Sequence, residues 1–133
     1  MNDFSVNSTL LRFLELAAKN HWPECDAIVS EVSDDPVHLA WATSKGLADE
    51  RLDARDLAIS IFEQTKQPKL NEFQIDGLKK ILVSDENLHL RRKAAFALFK
   101  YGDRSQGVIE RIKDAVSNDK ELKDIANNFL SKL

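Results

Sequence analysis

Leu88-His-Leu-Arg-Arg-Lys-Ala-Ala-Phe-Ala-Leu98 and Glu121-Leu-Lys-Asp-Ile-Ala-Asn-Asn-Phe-Leu130 follow one scheme: an apolar residue, a basic residue, an alanine one turn on, then a large apolar residue. Leu90, Ala94 and Leu98 align in this way with Leu122, Ala126 and Leu130, at an offset of 32 residues. A further helical segment and a short polar turn precede each copy, Ser84-Asp-Glu-Asn87 in one case and Ser117-Asn-Asp-Lys120 in the other. A period of about 30–45 residues built from two helices marks an α-solenoid, a fold that offers surfaces and usually carries no chemistry.

Outward from these copies, apolar spacing predicts eight helices and no strand. The first is expected from about Asn7 to Lys19, with Leu10, Leu11, Phe13, Leu14, Leu16, Ala17 and Ala18 spread too widely for one stripe, so that it packs on two sides. Pro23 suits the first turn of a second helix, with Cys25, Ile28, Val29 and Val32 inward, and Asp35-Pro36 opens a third with Val37, Ala40, Trp41, Leu47 and Ala48. Asp53 is expected to cap a fourth, whose stripe is Ala54, Leu57, Ala58, Ile61 and Phe62, before Gln67-Pro68 stops it. Asn71 with Gln74 has capping-box spacing for a fifth, with Ile75, Leu78, Ile81 and Leu82 inward. The sixth, Leu88 to Tyr101, is apolar around most of its circumference and must be sandwiched, with Gly102 as its C-cap. Asp103 with Gln106 is read as the cap of the seventh, and Asn118 with Glu121 as that of the eighth. That last helix shows one stripe, Leu122, Ile125, Ala126, Phe129, Leu130 and Leu133, as a terminal solenoid cap requires.

The chain has 133 residues, 43% of them hydrophobic and 31% charged, which fits one soluble domain spanning residues 1–133. A single cysteine excludes an internal disulfide framework, and Met1-Asn-Asp-Phe4 lacks the basic start of a signal peptide, so a cytoplasmic location is expected. The net charge of −3 is unevenly spread: residues 1–53 carry ten acidic and four basic side chains, and residues 54–133 carry twelve and fifteen. Such a molecule can steer a basic partner to its acidic half.

From Leu78 to Leu130 the pattern resembles HEAT repeats, particularly the short bacterial kind. Asp85, Leu90-Arg91, Ala94 and Leu98 fit one copy, and Asp119, Leu122-Lys123, Ala126 and Leu130 the next. Asp34-Asp-Pro-Val-His-Leu39 followed by Trp41 is a degenerate earlier copy without the basic position, so residues 70–133 are clear repeats and 1–69 degenerate ones. The resemblance implies an all-α, right-handed α-α superhelix of about four helix pairs, a concave side that binds partners, and no catalytic residue. It also implies that Arg91 pairs with Asp85, Glu86 or a neighbouring repeat.

Other constellations have plainer readings. His21 and Cys25 stand four apart, as an enzyme's thiol and imidazole could, but Cys25 occupies a core position and neither catalysis nor a metal site has its further members. His38 and His89 follow polar turns and are read as surface residues. Asp34-Asp35 and Asp49-Glu50-Asp53 are what N-capping selects. Arg91-Arg92-Lys93 is the densest basic run and keeps a nucleic-acid alternative open, against which stands an isoelectric point of about 5.6. Trp22 and Trp41 are read as core anchors. The sequence thus points to a non-catalytic domain without metal or cofactor that binds a protein, an adaptor or an inhibitor such as an immunity protein facing a basic enzyme. Its expected partner-binding residues are Glu31, Asp34, Asp35, Asp49, Glu50, Arg91, Arg92 and Lys93.

Overall fold

A computed structural model describes residues 3–133, with side chains from residue 5 onward. Among these residues there are eight α-helices and no strand: α1 (Asp3–Ala18), α2 (Trp22–Val32), α3 (Pro36–Ser44), α4 (Leu52–Gln64), α5 (Glu72–Ser84), α6 (Leu88–Lys100), α7 (Gln106–Asn118) and α8 (Lys123–Leu130), with a 3-10 turn at Gly46–Ala48. No helix among them is long and apolar enough to cross a membrane. The chain divides into two compact units, Met1–Pro68 and Lys69–Leu133.

In the N-terminal unit α4 is the element on which the others rest. Ala54, Asp56, Leu57, Ala58, Ile59, Ile61 and Phe62 are all buried, and α1, α2, α3 and the 3-10 turn pack around them. α1 presents Val6, Leu10, Phe13 and Ala17, one stripe rather than two, while Leu11 stays 58% exposed. Asn20 takes the left-handed conformation (φ 58°) that ends α1, with the His21 N–H donating to the Leu16 carbonyl at 2.9 Å. Pro23 lies in the first turn of α2, and Cys25, Ile28, Val29 and Val32 are buried, as the spacing predicts. α3 stops at Ser44, short of Leu47. The reason is close packing: a Cβ on Gly46 would lie 2.8 Å from the Ala58 Cβ and 3.0 Å from the Trp41 ring. Only glycine lets the turn approach α4 this closely.

In the C-terminal unit each helix packs on the next in sequence, and α6 also touches α8. α6 buries Leu90, Arg92 and every residue from Ala94 to Phe99, the sandwiched helix its composition demands. Phe129 of α8 stacks on Phe96 (5.2 Å between centroids) and meets Phe99 edge-on (5.3 Å). α8 is less covered than its sequence suggests. Leu122 and Ala126 are buried, Phe129 and Leu130 are half-buried, and Ile125 and Leu133 are 47% and 65% exposed.

Helix starts follow a recurring local device. Asp49, Asp85, Asp103 and Asp119 each accept the N–H two residues on, from Arg51 (2.9 Å), Asn87 (2.9 Å), Ser105 (2.8 Å) and Glu121 (3.1 Å). The helix then begins beyond that turn. Hence α4 starts after Arg51 and not at an Asp53 cap, α7 after Ser105 and not after Asp103, and α8 after Leu122 without an Asn118–Glu121 box. Asn118 belongs to α7 and donates to Asp114 (2.8 Å). The expected caps that do form are Asp35 on α3, the full Asn71–Gln74 capping box on α5, and Gly102 (φ 100°) after α6.

Candidate functional site

The charge imbalance follows the division into units. Met1–Pro68 holds twelve acidic and six basic side chains, Lys69–Leu133 ten and thirteen. Three of the five acids singled out in the N-terminal unit hold backbone in place. Asp34 Oδ1 accepts from Thr65 Oγ1 (3.1 Å) and the Lys66 N–H (2.7 Å), fastening the α2–α3 turn to the end of α4. Asp35 caps α3 through the Val37 N–H (3.1 Å). Asp49 takes both Nε and Nη2 of Arg51 (3.0 and 2.9 Å), and those hydrogen bonds hold its carboxyl below the usual range. Glu31 and Glu50 are exposed, Glu31 at 3.8 Å from an equally exposed Arg12.

The basic run is built into the C-terminal unit. Arg91 donates to the carbonyls of Leu82 (3.0 Å) and Val83 (3.2 Å), closing the end of α5, and does not pair with Asp85 or Glu86. Arg92, 7% exposed, is the residue that bridges to the next helix: Nε donates to Asp114 (2.7 Å) and Nη1 to Asp119 (3.2 Å). Arg92 lowers the Asp114 carboxyl. Burial by itself would raise Asp119, but hydrogen bonds from His89, the Leu122 N–H and Arg92 bring it below its ordinary value. Lys93 is half-buried.

Around Cys25 the surroundings disfavour a thiolate. The side chain is buried with Sγ 3.9 Å from the Phe13 carbonyl. Burial, reinforced by the negative charges of Asp26, Asp56, Asp53 and Glu24, pushes the thiol up to about 11. His21 is turned elsewhere, half-exposed and 4.0 Å from Glu24. Asp53 is also raised, by burial and by Asp56.

His38 corrects the sequence reading: it is 3% exposed and forms part of the interior. Nδ1 lies 2.5 Å from Asp35 Oδ2 and Nε2 3.1 Å from Thr9 Oγ1, tying α3 to α1. The signal for it was the Asp35–His38 spacing of three, one helical turn from a capping carboxylate; nothing in the sequence marks Thr9. The other histidine, His89, is partly exposed and faces Asp119 at 3.2 Å.

Beside this tie, α1 and α3 wall an open apolar groove of about 270 Å³. Val6, Pro36, Val37, Ala40 and Trp41 supply its apolar surface, and Ser44 and Lys45 are the polar residues in its lining. Trp41 is half-buried, so the ring serves both as a packing partner of Gly46 and as part of the wall. Apolar periodicity reads Val37, Ala40 and Trp41 as core, and it is α3's buried residues, His38 and Ala42, that turn this face outward. Trp22 is exposed as well, at 42%. Comparison of the chain with known protein families, with curated proteins and with solved structures finds no match.

Proposed function

We propose that this chain is a non-catalytic, cytoplasmic protein-binding domain of HEAT-like character, a right-handed helical superhelix acting as an adaptor or as an inhibitor of the immunity type. Its N-terminal unit is the docking face and a basic protein its partner. The observation that carries this reading is the coincidence of an excess of six negative charges with a walled apolar groove in the same unit. Exposed acids such as Glu24, Glu31 and Glu50 steer the encounter, and an apolar side chain flanked by basic residues fills the groove. The structural duties of Arg91 and Arg92 speak against phosphate binding by the basic run. The resemblance of residues 70–133 to HEAT repeats supports a scaffold rather than a catalyst.

The test is co-purification from the source cell with nuclease treatment, using wild type, the surface variant Glu24→Gln/Glu31→Gln/Glu50→Gln and the groove variant Val37→Arg. A basic protein retained by wild type should associate several-fold more slowly with the triple variant at low salt, and the difference should shrink as salt rises. Val37→Arg should abolish retention. Equal retention by all three proteins, or retention that nuclease removes, sinks the proposal.

A further inference from the structure

The residues that line the groove fall into a pattern along α3. Pro36, Ala40 and Ser44 make one row at i, i+4 and i+8, and Val37, Trp41 and Lys45 make a second row beside it. At 1.5 Å per residue each row is about 12 Å long and runs the length of α3. Two such rows with a furrow between them are what one helix offers another when their side chains interlock. His38 and Ala42 face the interior of the unit, whereas Pro36, Ala40, Ser44 and Lys45 are exposed. Val6, 5% exposed, closes the groove from α1. Trp41 is backed by the Gly46 turn, where no Cβ would fit, so this wall is set before anything binds.

We infer that the groove seats an amphipathic helix of a basic partner, laid on α3 with its large apolar side chains entering beside Trp41. This rests on reading the groove as the docking site and names the form of what docks there. Size excludes a whole small molecule: about 270 Å³ falls below the roughly 300–1,000 Å³ of pockets that enclose a drug-sized ligand, and it suits inserted side chains instead. Backbone chemistry then decides between a strand and a helix. An extended segment brings N–H and C=O groups that need partners once they are covered. The lining offers few: Pro36 has no N–H, the Ser44 hydroxyl donates to the Ala40 carbonyl at 2.8 Å, and Val6, Val37 and Ala40 present only apolar side chains. A helix satisfies its backbone internally and asks only for apolar contact along one face. Charge selects the source. With twelve acidic and six basic side chains in the unit, a second copy seated groove to groove would bring the same excess, and an anionic membrane surface is repelled as well. A helix flanked by lysine or arginine is attracted.

The experiment uses the full chain as Trp22→Phe, which leaves Trp41 as its only tryptophan, and three synthetic peptides. The first has leucine at i, i+3, i+4 and i+7 with lysine between. The second has the same composition with leucine and lysine alternating as in a strand, and the third is the first with glutamate for lysine. The first peptide should gain helicity on binding and move Trp41 emission to the blue as the ring is covered. It should bind about tenfold more tightly than either of the others. Ala40→Arg, at an exposed position in the middle of the seat, should remove that binding with the helicity of the protein unchanged. Phe73→Ser, at an exposed apolar residue of the other unit, should leave it intact. Equal or tighter binding of the alternating peptide or of the glutamate peptide overturns the inference, as does a chain that self-associates until Ala40→Arg disperses it. If the first peptide leaves Trp41 unmoved while Val37→Arg still abolishes retention of a cellular partner, the helix seat falls and the docking reading stands. If the peptide binds as expected and the source cell yields no basic protein, the seat stands and the reading of a basic cellular partner falls.

Discussion

The two units each bury one helix almost all round, yet they treat the polar groups inside them in opposite ways. Around α6 the buried charge is answered: Arg92 lies between Asp114 and Asp119, and both carboxyls are held below their ordinary values. Around α4 two groups meet like charge instead: Cys25 and Asp53 are raised by burial and by neighbouring carboxylates, whereas Asp49 at the edge is lowered by its arginine. The C-terminal unit thus reads as a scaffold whose electrostatics are settled within itself. The N-terminal unit keeps an excess of negative charge that a basic partner would relieve, which is why we place docking there.

The largest effect should come from breaking the settled side. Arg92→Leu removes the buried cation that Asp114 and Asp119 share and should cost about 3 kcal/mol in chemical unfolding. Hydrogen exchange should rise in α6, α7 and α8. Wild-type stability in this variant would show the network to be incidental.

A smaller effect separates the units by pH. The Cys25 thiol titrates at about 11 in the fold and near 9.0 ordinarily, so its contribution is complete below about 9 and is lost as pH rises through 11. That shift is worth about 2–3 kcal/mol. Asp114 and Asp119 work at the other end: their contribution is present above the ordinary carboxylate value of 3.8 and disappears as pH falls below it. Hydrogen exchange resolved by segment should therefore show the N-terminal unit opening first in alkali and the C-terminal unit first in acid. Cys25→Ala should erase the alkaline loss, and a loss that persists would place its origin elsewhere.

Gly46→Ala should cost about 1–2 kcal/mol, because its new methyl meets the Ala58 Cβ and the Trp41 ring. Trp41 fluorescence should change with it, and unchanged emission would mean the ring is not held by this contact. The smallest effect is expected from Lys45→Glu at the groove. Stability should stay within about 0.5 kcal/mol, as for exposed substitutions generally, while association with a basic partner quickens. A slower association would point to an acidic partner.

Much of the helical plan was legible because it depends on neighbours in sequence. The Asn71–Gln74 box, the Asp35 cap and the Gly102 terminus are local devices and stand where their spacing puts them. Asp103 misled because an aspartate can cap a helix directly or make a turn that places the cap two residues on, and Asn118 because it ends α7 and the turn before α8 is made by Asp119; spacing does not tell these apart. Residues whose role depends on a distant partner were not legible. Arg91 and Arg92 look alike in sequence, but one closes α5 and the other meets α7. His38 looks like a surface residue until Thr9, 29 positions away, is brought beside it. The groove was hidden for a related reason: an apolar residue on a short helix reads as core whether or not anything covers it.

The place of α4 in the chain also bears on synthesis. α1, α2 and α3 leave the ribosome before the helix whose surface they need, and Asp34 waits for Thr65 and Lys66 to fix its turn. Until residue 64 has emerged, their apolar stripes have no shared partner, a state in which a growing chain depends on chaperones or on its own solubility. The excess acidic charge carried by those first helices makes such nascent segments repel one another.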